Sequence, residues 1–204
     1  MKARIRVRVV ILFVLLLASA VGGGGCLTLR TARSLSQGQW AVRAQTSPLA
    51  PPPFLGALSV SRGMIEGGEL GGGFAFLAGA RDEPGVDLEW FQQLGSPLLP
   101  WSPALLPGLE AGLGMGVGGY VIDPGLFLHT TQAFSLNRGG WSPLLLHRLT
   151  LDLDARTRQE LYMGAELFSG KRLRFYLAGG SRDLWNRDQW VVVFGGGLHL
   201  GGRR

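Results

Sequence analysis

The stretch that most constrains the fold is residues 109–122, LEAGLGMGVGGYVI, in which aliphatic residues alternate with glycine. Period two indicates a β-strand, because successive side chains point to opposite faces of a sheet. A strand of a soluble sandwich usually places Thr, Lys or Glu opposite its core residues. Here the second face is nearly all glycine, which leaves room for bulky or polar groups from other strands. The pattern predicts a closed barrel with lipid outside and a crowded, partly polar interior.

Composition favours the same architecture. The chain has 204 residues, a length that suits one domain. Its 17% of charged residues is low against the ~25% of a soluble domain, and its 33 glycines are more than twice the usual ~7%. Four of the basic residues precede Cys26, so the rest of the chain has 16 basic and 14 acidic residues, a net charge of +2. With no basic stripe interleaved with aromatics, we expect no nucleic-acid partner.

Residues 1–26 are typical of an export signal. A basic segment, residues 1–8, precedes a 13-residue apolar run, residues 9–21. That run is shorter than the ~20 residues that a membrane-spanning helix needs, which favours a removed signal over a permanent anchor. Two cleavage sites are open: after Ala20, in an A-x-A pattern, or before Cys26.

Residues 23–26, Gly-Gly-Gly-Cys, resemble a bacterial lipobox, with Gly23 where that motif usually has an aliphatic residue. The resemblance implies that Cys26 is diacylated and heads the mature chain, and Leu27 after it implies sorting to the outer membrane. Cys26 is the only cysteine, so it has no intramolecular disulfide partner. We therefore favour lipidation of Cys26 over a free thiol in a flexible tail.

Residues 27–53 predict a tether. Residues 27–39 are polar, residues 40–45 are a candidate first strand, and SPLAPPP at 47–53 is a linker or rim turn, since proline lacks a donor and fixes φ. With the signal, Cys26 and the alternating strands, residues 31–33 and 38–39 resemble the opening of small bacterial outer-membrane β-barrel lipoproteins. The resemblance implies an outer-membrane location and membrane lipid as the partner, and leaves the oligomeric state open.

Residues 54–204 predict the barrel domain. Segments of strand length separated by turn signals follow one another, and none after the signal has the i, i+3, i+4 spacing of a helix. We predict an all-β, antiparallel up-and-down β-barrel of about eight to ten strands; a sandwich is the alternative. The absence of a terminal Phe on the last strand opposes an outer-membrane barrel. The segments are 54–62, 70–80, 86–94, 109–122, 126–136, 144–154, 159–168, 173–179 and 190–200.

If the aliphatic faces meet lipid, the opposite faces carry charge into the lumen. Buried acids and bases must pair or meet water, so we predict a packed plug of arginines and carboxylates rather than a wide pore. Tryptophans at strand ends predict interfacial girdles. The predicted lumen residues are Glu110, Arg148, Asp152, Asp154, Glu166, Arg174 and His199, and the predicted interface aromatics are Trp101, Trp141, Trp185 and Trp190.

No motif predicts catalysis, a cofactor or a metal. The G-x-G-x-x-G of residues 114–119 lies within a strand and lacks the helix that a nucleotide fingerprint needs. His129, His147 and His199 are scattered, without zinc spacing. A lipid-modifying hydrolase or acyltransferase would need a nucleophile beside a base, but His129 and Ser135 lie ~20 Å apart along one strand.

Two functional hypotheses remain. The favoured one is a non-catalytic outer-membrane barrel with a structural or transport-related role, lipid-anchored at Cys26. The alternative is a lipid-anchored soluble barrel or sandwich that binds an apolar ligand in the periplasm. They differ in where the aliphatic face of the strands points: outward to lipid in the first, and inward to a core or ligand in the second.

Overall fold

A computed structural model describes residues 29–47, 55–78, 81, 83–94, 108–136, 140–154, 156–169, 172–184 and 190–201. Within them, ten antiparallel strands form a closed barrel in which each strand pairs with the next and the last pairs with the first. The predicted all-β up-and-down barrel is confirmed, with the strand number at the upper end of the range. The strands are β1 (Trp40–Ser47), β2 (Leu55–Ile65), β3 (Gly68–Ala78), β4 (Glu83–Leu94), β5 (Leu109–Tyr120), β6 (Leu126–Leu136), β7 (Trp141–Asp152), β8 (Thr157–Ser169), β9 (Leu173–Ser181) and β10 (Trp190–Leu200).

Alternation along each strand separates the wall into an outer and an inner face. On β7, Leu145 and Leu151 are exposed, whereas Arg148 and Asp152 on the other parity are buried. The sequence of β5 is sorted in the same way, with Met115 and Val117 exposed on the outer face and the alternate glycines at 112, 114, 116 and 118 on the inner face. Because the barrel is closed, the outer face has no second sheet packed on it, and this rules out the sandwich.

The glycines of β5 allow neighbouring side chains to lie flat on its inner face. A Cβ atom at Gly112 would contact the ring of Phe91 and the carbonyl oxygen of Ala32, and one at Gly114 would contact the carboxylate of Glu89. Both bulky residues come from β4, which pairs with β5. The inner face of β5 is therefore the surface against which the lumen is packed.

Because the number of strands is even, β1 begins and β10 ends at the same mouth of the barrel, here called the near mouth. The near mouth also has the two-residue turn between β2 and β3, where Gly67 adopts a φ of +73°, a conformation that glycine reaches without strain. The other end, the far mouth, contains the turn at residues 121–125 and the turn residues 153–154 that follow β7.

The sequence predicts a polar tether at residues 27–39, but of the described part, residues 29–39, the first seven residues extend into the barrel, while residues 36–38 are exposed at its mouth. We call residues 29–39 the inner segment. Its C-terminal end lies at the near mouth, where the Gly38 N–H donates to the Gly63 carbonyl over 2.9 Å. Its N-terminal end lies deeper in the barrel, where Leu29 is bonded to Gln45. Leu29, Ala32 and Leu35 are buried. Leu29 and Ala32 pack in a hydrophobic cluster with Phe91 of the wall, and removing these apolar side chains from water favours the inward position of this stretch.

Candidate functional site

Apart from the bonds of Gly38 and Gln39 to Gly63 of β2, the inner segment pairs with no strand in the described part of the chain, so its other backbone polar groups need side-chain acceptors and donors. Side chains that point inward from the wall supply them. Gln45 makes a pair of bonds with Leu29, accepting from its N–H over 2.6 Å and donating to its carbonyl over 2.9 Å. The other backbone N–H groups held by the wall are those of Ala32, to Ser135 Oγ at 3.1 Å, Ser34, to Gln93 Oε1 at 3.2 Å, and Leu35, to Glu69 Oε2 at 3.1 Å.

Arg30 connects the inner segment to two carboxylates of the wall. Its guanidinium lies 3.0 Å from Glu69 and 3.3 Å from Glu89, and stacks 3.4 Å from the ring centroid of Phe91. Glu69 also pairs with Arg43 at 3.2 Å. All of these side chains are largely or fully out of solvent, so each charge depends on its partners rather than on water.

A second group of charges lies around His129, on the inner face of β6. Arg148 pairs with Asp87 at 3.1 Å, and the imidazole nitrogens of His129 lie 3.6 Å from Asp87 and 3.8 Å from Glu89. Glu89 belongs to both groups, since it also faces Arg30. Polar side chains of β4, β6 and β7 are thus connected to Arg30 of the inner segment through Glu89.

The far mouth has its own cluster, centred on Asp152. The Tyr120 hydroxyl donates to Asp152 over 2.6 Å, and Arg81 lies 3.7 Å from Asp152 and 3.2 Å from Asp154. Arg81 also lies over the Tyr120 ring, 4.9 Å from its centroid. Asp154 is half-exposed, and the same carboxylate oxygen that faces Arg81, Oδ2, lies 3.8 Å from Arg156.

The predicted lumen residues occupy different parts of this arrangement. Arg148, Asp152 and Glu166 are buried and face inward. Glu110 is half-buried and pairs with Arg33 of the inner segment at 2.9 Å, while Asp154 lies in a turn at the far mouth. The last two are half-buried: Arg174 on the inner face of β9 and His199 on that of β10. The Arg174 guanidinium lies 4.0 Å from the Phe168 ring centroid.

Sequence reasoning missed the residues that hold the inner segment. Glu69 falls one residue before the predicted third strand, and extending that strand to Gly68 places it on the inner face. Asp87 and Glu89 alternate with Val86, Leu88 and Trp90, which is the signal that could have assigned them to the lumen. Arg30 has no such signal, because the inner segment does not alternate.

Two of the four predicted interface aromatics are among the described residues, and they lie at opposite ends of the barrel. Trp141 begins β7 at the near mouth and Trp190 begins β10 at the far mouth, and both are exposed. Trp40, which sequence reasoning did not include, is likewise exposed at the near mouth. Trp101, Trp185 and Cys26 lie outside the described residues, as does the signal segment.

The arrangement of side chains offers no catalytic pair from the predicted candidates. Ser135 Oγ accepts the N–H of Ala32, whereas His129 faces Asp87 and Glu89, so the structure does not bring Ser135 and His129 together. Residues 114–119 lie within β5. Among the described ranges, no group of three or more His, Cys, Asp or Glu side chains could hold a metal ion, and no helix there is long and apolar enough to cross a membrane.

The outer face of the described strands is mainly apolar, with a few polar side chains such as Thr46, Gln132 and His147 among the hydrophobic ones. Large hydrophobic side chains are exposed on neighbouring strands, including Leu88 at 52%, Met115 at 63% and Met163 at 65%. In a water-soluble protein such residues form the core. Here the interior holds buried ion pairs beside a hydrophobic cluster that includes Phe91, Leu146 and Val193, and further hydrophobic residues cover the outside.

Comparison with protein-family models and with curated proteins finds no match. Two solved structures are similar in fold. One is from a study of the de novo design of transmembrane β-barrels, 12% identical with a TM-score of 0.37, and covers 81% of this chain and 98% of that one. The other is the N-terminal β-barrel domain of Pseudomonas aeruginosa OprF, 12% identical with a TM-score of 0.35, and covers 81% of this chain and all of that one. At this identity and TM-score, neither match bears on what this chain does.

Proposed function

We propose that this protein is a non-catalytic β-barrel of the bacterial outer membrane, lipid-anchored through Cys26, with its lumen closed by the inner segment. The observation that carries the proposal is the inverted distribution of polarity: Met115 and Leu151 are exposed, while Glu69 and Arg148 are buried. In hydrocarbon every backbone polar group must be bonded internally, and a closed barrel achieves this without an edge. In water, an apolar surface around the whole wall would drive aggregation.

A structural role is favoured over a conducting one because the lumen is occupied. The inner segment is bonded to several strands, and Arg30 brings charge into contact with Glu69 and Glu89. A barrel of about this size leaves little free bore once side chains fill it. Purified barrels in a planar bilayer should therefore give no steady open-pore current, and a stable current from the unmodified protein would contradict a structural role.

Export and lipidation are consistent with the place of the inner segment. Cleavage after Ala20 or before Cys26 leaves residues 29–39 in the mature chain, so either route retains the contacts of Arg30. Lipidation at Cys26 supplies an acyl anchor close to the inner segment. In this proposal the acyl chains add attachment, and the barrel itself crosses the membrane.

The periplasmic alternative needs the reverse arrangement. A soluble carrier of an apolar ligand requires an apolar cavity and a polar exterior. In the described lumen Arg30 pairs with Glu69 and Glu89, and Arg43 pairs with Glu69; its buried hydrophobic cluster is packed together with the inner segment through Leu29 and Ala32. The described exterior is mainly hydrophobic. No observation favours that alternative over the membrane barrel.

Membrane retention tests the proposal. In membranes washed with high salt and without detergent, we expect the Cys26→Ser chain to stay in the outer-membrane fraction as the unmodified chain does, and both to shift in gel mobility when boiled. A peripheral lipoprotein would be released after Cys26→Ser. Release of the variant into the wash would show that the barrel does not span the membrane.

A further inference from the structure

The outer face has two polar side chains at the middle of adjacent strands. Gln132 of β6 and His147 of β7 are directly opposite in the sheet, with His147 Nδ1 and Gln132 Oε1 2.6 Å apart. Leu113 on β5 and Leu161 on β8 flank the pair in the same row. Along the strands the neighbours on the same face are Phe134, Leu145, Leu149 and one further polar residue, Thr130. The Gln132–His147 pair therefore lies in a mainly hydrophobic region of the face that the proposed function places against lipid.

The contact within the pair satisfies only part of its hydrogen-bonding capacity. The Gln132 carboxamide oxygen can only accept, so Nδ1 of His147 is the donor in this contact, and in an uncharged imidazole Nε2 is then an acceptor. The Gln132 amide nitrogen keeps two donors. Against lipid, with no water to bond them, these groups are costly unless another protein surface supplies partners.

We propose that a second copy of this chain docks on the outer face of β6 and β7, related by a two-fold axis through the Gln132–His147 pair. The amide of Gln132 in one copy donates to Nε2 of His147 in the other, and the reverse bond forms by symmetry. A two-fold interface needs a self-complementary surface, and a donor beside an acceptor provides one. The exposed side chains of Phe134 and Leu145 add apolar contact beside the pair.

A second copy is the occupant that the chemistry favours. Polar side chains on membrane-facing surfaces act as specific contacts between protein elements. Any other partner would have to present an acceptor and a donor at the same spacing, whereas a second copy presents them because it has the same pair. This inference rests on the proposed membrane location, since in water the same groups would be solvated.

Energy transfer in lipid vesicles tests the dimer. The chain carrying Cys26→Ser and Asp123→Cys is purified from membranes, labelled with donor or acceptor at Cys, and mixed in phosphatidylcholine vesicles. Asp123 lies in the exposed turn before β6. At high lipid dilution we expect transfer above the level of random encounter, and Gln132→Leu with His147→Leu should weaken association about tenfold, from two lost hydrogen bonds.

The matched control is Thr46→Val, which removes a polar group from the outer face of β1, on the opposite side of the ring, and should leave transfer unchanged. Leucine suits a lipid-facing position, so the double variant should keep its heat-dependent gel shift. Transfer at the random level in the unsubstituted chain, or equal transfer in the double variant, overturns the dimer. Absence of the gel shift in every chain would instead reject the membrane barrel and the dimer with it.

Discussion

β4 and β5 are neighbours with similar outer faces and opposite inner faces. Outside, Leu88 and Met115 are both exposed. Inside, β4 projects Asp87, Glu89 and Phe91, whereas every inward residue of β5 from position 112 to 118 is glycine. The two strands are antiparallel and paired along nearly their whole length, so the contrast arises within one continuous piece of sheet.

The contrast shows that bulk inside a narrow barrel is shared between neighbouring strands. A Cβ at Gly116 would contact the His129 imidazole, and one at Gly118 would contact the Phe127 ring, both from β6. Side chains of β4 cover the other inner glycines. The absence of side chains on β5 is therefore what allows large ones on both of its neighbours, because the lumen volume is fixed by strand number.

The largest effect should come from removing a buried carboxylate on the charged side of this comparison. Glu69→Leu leaves Arg30 and Arg43 buried without their shared partner, and we expect the free energy of unfolding to fall by about 3–5 kcal/mol. Urea unfolding in lipid vesicles, followed by tryptophan fluorescence, measures it. Glu110→Gln is the control: its partner Arg33 is substantially exposed, so a loss below about 1 kcal/mol is expected. Equal losses in the two variants would mean that burial of the ion pair does not determine how much stability its removal costs.

A charge on the outer face of β5 should have the next largest effect. Met115 lies at mid-strand, and Met115→Lys should lower the free energy of unfolding by about 2–4 kcal/mol if that face meets hydrocarbon. Val121→Lys, just beyond the end of β5, should lower it by about 0–1 kcal/mol. The same vesicle unfolding assay compares them. A Met115→Lys variant as stable as the Val121→Lys variant would place the outer face of β5 in water.

The smallest effect is expected from alanine at one of two adjacent glycines of β5, Gly118 on the inner face, compared with Gly119 on the outer face. Gly118→Ala forces the Phe127 ring and the backbone near Val86 to move, and we expect a loss of about 1–3 kcal/mol in the free energy of unfolding. Gly119 faces outward, where a Cβ would make only ordinary contacts, 3.6 Å from the nearest atoms. Gly119→Ala should therefore stay within about 0.5 kcal/mol of the unmodified protein. If both substitutions are neutral, the inner face of β5 is not packed.

Much of the wall could be predicted from alternation alone. The predicted segments 126–136 and 190–200 coincide with β6 and β10, because a two-residue period between clear turn signals defines both the strand and its two faces. Several other strands extend a few residues beyond the prediction. Glu69 was missed for this reason. No alternation in the sequence includes Gly68 and Glu69, and they belong to β3 only because they pair with β2 and β4.

The inner segment could not be predicted in the same way. Its polar composition is typical of an exposed tether, and its backbone bonds go to side chains that are distant in sequence: Ala32 to Ser135 and Leu29 to Gln45. Leu29, Ala32 and Leu35 gain their burial only after ten strands enclose them. Local sequence gives no sign of an enclosure that is formed by residues far along the chain.

The amino-acid sequence by itself determined that the chain is all-β, where most strands lie, and which residues share a face, because side-chain direction in a strand is a local property with a fixed period. The tertiary structure decided that ten strands close, which inward charges meet, and that residues 29–35 lie among them. Those features depend on register around the whole ring and on the volume it encloses. Glu89 shows the difference: its inward direction follows from its neighbours in sequence, but its contact with Arg30, 59 residues away, follows only from closure.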